Sequence, residues 1–233
     1  DLFSWLESEL QELVENLEEP LQNGYGRVDK AAAWMLLAKL YLNAEVYIGE
    51  DRYSECLTYT NNVINSGYSL DPVYQNLFLA DNNTAEGIIF SVLFDGTRSQ
   101  TWGGTTFIIH AAIGGSMNEV AQSMFGVNGG WGGTRTTEAF VNKFADISGN
   151  TDSRAMFWTD GQTLEIADMF EFTNGYAITK FRNRTSDDQP GSDPEFPDTD
   201  WPVFRLADAY LMYAEAVLRG GDGGNLGDAV GYI

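Results

Sequence analysis

Apolar side chains recur at alternating three- and four-residue steps along the first stretch of the chain: Phe3, Leu6, Leu10, Leu13 and Leu17. Glu7, Glu9, Glu12 and Glu15 lie off that stripe, so the pattern predicts an amphipathic helix over Leu2 to Leu17. Pro20, Gly24 and Gly26 then break it. A second helix is predicted from Asp29, a good N-cap residue, to about Ile48 before Gly49. With Ala31, Ala32, Ala33, Trp34, Leu36, Leu37, Tyr41 and Leu42 it is apolar nearly all round, which predicts a central, buried position. The third helix, Arg52 to Ser66, shows a stripe of Tyr53, Cys56, Leu57, Thr60, Val63 and Ile64, and Gly67 stands as its stop.

Two antiparallel helices joined by a short turn containing glycine make an αα-hairpin of tetratricopeptide type. Trp34, Leu37, Ala38 and Tyr41 fall at the spacing of that repeat's first helix. Leu37-Ala38-Lys39-Leu40-Tyr41-Leu42 is echoed by Leu206-Ala207-Asp208-Ala209-Tyr210-Leu211, and the second copy runs on through Ala214, Glu215 and Ala216 to Gly220. Between the copies the character changes. Ile88 to Phe94 predicts a short buried strand, and Tyr176, Ile178, Lys180 and Arg182 predict another. Gly96 to Arg135 is rich in Gly, Thr, Ser and Asn with Trp102, Phe107, Phe125 and Trp131 among them, and Asp187 to Pro202 is an acidic loop with prolines. The predicted fold is mainly α: a tetratricopeptide-like helical scaffold carrying a loop-rich, irregular region with a few short β-strands. Residues 1–70 form the first helical segment, 71–204 the loop-rich region and 205–233 a further helical segment of a single domain.

Charge adds the next constraint. The 233 residues contain 34 Asp and Glu against 13 Lys and Arg, a net charge of −21. Such a field repels phosphate backbones and anionic lipid, which argues against nucleic acid as a partner, while a neutral sugar is not repelled. Strongly anionic polysaccharides are expected to bind poorly unless a local Arg/Lys cluster or a metal intervenes. The longest apolar run, Ala31 to Ala38, stops at Lys39, short of the roughly 18–20 residues of a membrane span. One Cys56 and one His110 leave no internal disulfide and no Cys/His zinc set.

Several stretches together resemble the SusD/RagB family. They are Gly26-Arg27-Val28-Asp29-Lys30-Ala31-Ala32-Ala33 with Leu37 to Leu42, Asp51 to Cys56 with Val63 to Leu70, and Gly130 to Arg135 with Phe140 to Phe144 before the Asp152/Arg154 pair. The most specific is Trp201-Pro202-Val203-Phe204-Arg205-Leu206-Ala207-Asp208-Ala209-Tyr210-Leu211-Met212-Tyr213-Ala214-Glu215-Ala216. Asp208 stands where the family usually has Glu. The resemblance implies a non-catalytic nutrient-binding lipoprotein of the Bacteroidetes outer membrane that captures glycans for a SusC-like TonB-dependent transporter. Family members are usually about twice this length, so a partial chain is expected. The lipid anchor would lie outside these residues, and Cys56, inside a helix, is not the lipidation site.

Sugar capture needs flat apolar faces with precise polar groups beside them. Trp131 and Trp102, flanked by glycines, are the best platforms, with Asn128 and Arg135 as polar neighbours; the competing reading is that either indole plugs the scaffold. Trp34, Tyr41, Tyr210 and Tyr213 are expected in the core, Trp201 in packing, and His110 as a satisfied, partly buried histidine. No Gly-x-Ser-x-Gly elbow surrounds a serine, and no carboxylate pair is singled out for glycoside hydrolysis, so no catalytic residue and no cofactor are assigned. Asp193, Glu195, Asp198 and Asp200 are read as a solvated loop in preference to a calcium site, because EF-hand spacing is absent. A peptide-binding tetratricopeptide adaptor is the second functional reading and a glycoside hydrolase the third.

Overall fold

Asp29 opens the helix around which the first part of the molecule is built. In the computed structural model, which describes residues 1–233, its carboxylate accepts the Ala32 N–H at 3.2 Å and also the Leu21 N–H and the Tyr68 hydroxyl. One buried acid thus caps a helix and fixes the chain that enters it. The helices are α1 (Leu2–Asn16), α2 (Lys30–Leu42), α3 (Ala44–Ile48), α4 (Tyr53–Ile64), α5 (Gly104–Ala111), α6 (Glu138–Val141), α7 (Leu206–Leu218) and α8 (Leu226–Gly231). The strands are β1 (Ile88–Val92), β2 (Phe157–Trp158), β3 (Ala177–Ile178) and β4 (Trp201–Arg205). No helix is long and apolar enough to cross a membrane.

Two compact units result, one of residues 1–70, 86–91 and 202–233, the other of residues 71–85 and 92–201. In the first, α2 packs against α1, α4 and α7, and α4 against α7. Ala31, Ala32, Ala38, Ala209, Ala214 and Ala216 are all buried there, and their small side chains let these helices approach closely. Leu37, Leu57 and Val63 fill the seam, each contributing about 1.5–3 kcal/mol on burial. Tyr41 is buried with its hydroxyl donating to Glu7 at 2.7 Å, and the Tyr213 hydroxyl accepts from the Asn225 N–H at 2.9 Å. Trp34 and Tyr210 are only partly buried, packed against the same core. Lys39 on α2 pairs with Asp208 on α7 at 2.5 Å. Strand β1 pairs with β4.

The second unit has little regular structure. Its core is Ile109, Ile113, Met117, Phe125, Val127 and Ala177, with Trp158, Phe172 and Phe181 against it. Two buried asparagines do the work that ladders do elsewhere. Asn183 donates to the carbonyls of Gly126 (3.0 Å) and Asp193 (2.9 Å) and accepts from the Asp198 N–H (3.0 Å). Asn82 donates to Leu77 and Asp200 and accepts from the Asp200 N–H. Buried backbone groups of loops need such partners.

Several predicted elements differ in extent. The helix expected over Asp29 to Ile48 is two helices, because the Asn43 side chain donates to the Lys39 carbonyl at 2.8 Å and ends α2. The strand from Ile88 ends at Val92, and the Phe94 N–H bonds instead to the Asp200 carboxylate at 2.7 Å. The second strand is confined to Ala177–Ile178, since Arg182 and Asn183 turn away to bond Phe78 and Phe125 carbonyls. Within the expected loop Gly96 to Arg135 lies α5, whose β-branched run Thr105, Thr106, Ile108 and Ile109 disguises a helix that tertiary burial stabilises.

Candidate functional site

The loop bearing Trp131 is laced along the C-terminal end of α5. Trp131 N–H donates to the His110 carbonyl at 2.8 Å, Gly132 to Ile113 at 2.8 Å, and Gly133 and Thr134 to Ala111 at 2.8 and 2.7 Å. These bonds satisfy carbonyls that a helix end leaves unpaired. Close approach explains one glycine directly: a Cβ on Gly130 would lie 2.1 Å from the Ile113 oxygen. At the other end of α5, Gly104 has φ +59° and a Cβ there would meet the Phe94 ring at 2.1 Å. The backbone under the indole is therefore set by main-chain bonds and not by the indole itself.

Trp131 and Trp102 come together, with ring centroids 6.0 Å apart. Trp102 also meets Phe196 at 5.0 Å, and Phe107 of α5 lies 6.1 Å from Trp131. Trp102 is 58%, Phe107 48% and Trp131 44% exposed, so three large apolar rings form one solvent-facing patch. Beneath it His110 is buried and stacked on Trp131, 4.9 Å between centroids and 14° between planes. Its Nδ1 lies 2.7 Å from the Gly129 oxygen and its Nε2 2.9 Å from the Glu195 oxygen. His110 is satisfied as expected, more deeply buried than expected, and it ties the Trp131 loop to the loop of Phe196.

The polar neighbours divide. Asn128 is exposed; its N–H donates to the Pro194 carbonyl at 2.9 Å and its side-chain amide is unengaged. Arg135 is engaged with the backbone: its guanidinium donates to Asn174 (2.8 Å), Gly133 (3.1 Å) and Met169 (2.8 Å) carbonyls and lies over Phe172. That geometry braces the 163–175 loop. Trp158 donates its indole N–H to Ser116 and the Asp160 carbonyl and packs on Phe125, and Trp201 stacks on Phe181. The acidic loop is less solvated than its composition suggests. Asp193 accepts the Glu195 and Phe196 N–H groups, and Asp198 accepts those of Gly96 and Ser192. Its carboxylates are turn-makers, and they hold Phe196 at the patch.

Phe107 and Phe196 complete the patch without having been singled out in the sequence. Phe107 is one aromatic among several in the Gly-rich stretch with no glycine beside it, and Phe196 lies more than sixty positions from Trp131 in a segment read for its charge and prolines.

The chain thus combines a helical unit of tetratricopeptide type with an irregular unit that bears an exposed aromatic patch. The model of the SusD family matches residues 153–233. The starch-binding protein SusD of Bacteroides thetaiotaomicron is 32% identical over 280 aligned positions, covering 100% of this chain and 49% of that protein. By these matches the chain is similar to the SusD/RagB family. Surface glycan-binding protein A from Bacteroides thetaiotaomicron in complex with laminarihexaose superposes with a TM-score of 0.72 at 21% identity, over 99% of this chain and 52% of that one. A SusD superfamily protein from Parabacteroides distasonis gives 0.70 at 23% identity, over 97% and 47%. The chain thus spans about half the length of the relatives it matches, and the shared fold is the mainly α one described above.

Proposed function

We propose that this chain is part of a non-catalytic surface protein that captures oligo- or polysaccharides and passes them to a partner SusC-like TonB-dependent outer-membrane transporter. The observation that carries this reading is the exposed patch of Trp131, Trp102 and Phe107 on a backbone fixed by glycine and main-chain hydrogen bonds. Rigid aromatic faces offer a sugar ring large contact area with little ordering cost, and a fixed platform avoids the entropy of arranging it on binding. Asn128, with a free amide three positions before Trp131, supplies hydroxyl recognition. The relatives support the same reading, since one is a starch-binding protein and another is a glycan-binding protein in complex with laminarihexaose. Location at the cell surface through an N-terminal lipid anchor belongs to this proposal, as does the transporter.

The deciding experiment is a carbohydrate panel, by affinity electrophoresis or calorimetry, on the full-length protein and its Trp131→Ala and Trp102→Ala variants. One polysaccharide bound by the parent and lost in a folded variant is the expected result. Unaltered binding in both variants would move the site off this patch. Co-purification of the transporter from outer membranes tests the second half.

A further inference from the structure

A recess of about 490 Å3 opens in the loop-rich unit among the segments of Tyr74, Ser153, Phe157, Thr179 and Arg182. Arg182 lines it and forms no ion pair despite the chain's net charge of −21. Its Nε donates to the Thr179 carbonyl at 3.1 Å and its guanidinium sits 5.5 Å from the Phe125 ring centre. Both terminal nitrogens donate to nothing in the protein, yet they are not sealed in the core. Burial pulls the guanidinium below its ordinary pKa, with the charge of Asp188 acting in the opposite sense.

The surroundings repeat that pattern. Lys180 also lacks an ion pair; its ammonium lies 4.0 Å from the Phe78 ring centre and 5.4 Å from that of Tyr74. The hydroxyls of Ser153, Thr179 and Tyr74 make no hydrogen bond, and none is sealed from solvent. Unused hydroxyls and the Arg182 guanidinium therefore line a cavity within the size range of small-molecule sites, roughly 300–1,000 Å3, with Lys180 beside it over the Tyr74 ring. A guanidinium with two open nitrogens matches a carboxylate bidentately. A bare phosphate or sulfate would fill little of this volume and leave the rings of Tyr74 and Phe157 uncovered.

We infer that this recess binds the carboxylate of an acidic sugar, a uronic-acid residue, through Arg182, with Ser153, Thr179 and Tyr74 on the sugar hydroxyls. The inference rests on the glycan-binding reading and adds a ligand class to it. It also locates a basic group that an anionic glycan needs on so acidic a chain.

The test is calorimetry on the full-length protein with uronic-acid oligosaccharides, their neutral counterparts, and inorganic phosphate and sulfate. The acidic oligosaccharide should bind best, and Arg182→Gln should weaken it at least about tenfold while leaving neutral glycans at Trp131 unchanged. Ser153→Trp, which fills the recess and leaves Arg182 in the sequence, should do the same if Arg182→Gln fails to fold. Equal affinity for acidic and neutral sugars, or acidic binding indifferent to both variants, would overturn the inference. Phosphate binding as tightly as the uronate would overturn the sugar assignment. Arg182-dependent uronate binding without any Trp131-dependent glycan would sink the patch and spare the recess; the reverse would sink the recess alone.

Discussion

His110 holds Trp131 twice: its backbone carbonyl accepts the tryptophan N–H, and its buried ring lies flat beneath the indole. The ring nitrogens meanwhile reach the Gly129 and Glu195 carbonyls. His110→Leu should therefore remove the N–H that one of these half-buried carbonyls accepts and remove the stack, lowering stability by about 1–3 kcal/mol in denaturant titration. Trp131→Ala, at a half-exposed position, should cost far less stability while removing more glycan affinity. A His110→Leu variant as stable as the parent would contradict this role.

Gly130→Ala forces a methyl group against the Ile113 oxygen. The expected cost is about 1–3 kcal/mol, and the displaced loop should carry Trp131 away from Trp102. Thermal melts and quenching of tryptophan fluorescence by added glycan read the two effects separately.

Arg135→Gln should act on dynamics. With the bonds to Asn174 and Met169 gone, amide exchange should quicken across residues 163–175, and glycan affinity should fall less than in Trp131→Ala. A larger loss of affinity than Trp131→Ala would return Arg135 to direct contact with ligand.

The thiol of Cys56 is buried between helices, and burial pushes it up to about 12. Tyr68 is raised by burial and by Asp29. Groups raised on folding stabilise fully below their unfolded pKa values, near 8.5 for Cys and 10 for Tyr, and that contribution disappears as pH rises. Stability should thus decline above about pH 8.5, and a thiol reagent should label Cys56 only in parallel with unfolding. On the acid side, Ser148 hydrogen bonds hold Asp146 at about 2 and the Arg154 guanidinium holds Asp152 at about 2. Their stabilisation is present above about pH 4 and is lost as pH falls toward 2. Denaturant midpoints from pH 2 to 11 check both arms.

What could be read from the chain separates by the range of the interactions. Phe3, Leu6 and Leu10, or Leu37, Ala38 and Tyr41, announce helices because a helix buries neighbours three and four positions apart. Trp131 and Trp102 were legible as candidates because glycines flank both. Phe196, Asn183 and Arg182 were not, since what defines them is the company of residues far away in sequence: Trp102 for the first, Gly126 and Asp198 for the second, Tyr74 for the third. The breaks at Asn43 and after Val92 were equally hidden, for each depends on a single side-chain hydrogen bond that competes with the regular ladder.

The stitching of residues 131–134 to the end of α5 uses only N–H and C=O groups, which every residue but proline possesses. Whatever side chain occupies 131 is delivered to the same place. The loop behaves as a socket: the ring at 131 can be exchanged for another shape without refolding what lies below. Under the proposed glycan-capturing role, preference for one sugar over another can then drift by substitution at 131 while the scaffold stays constant.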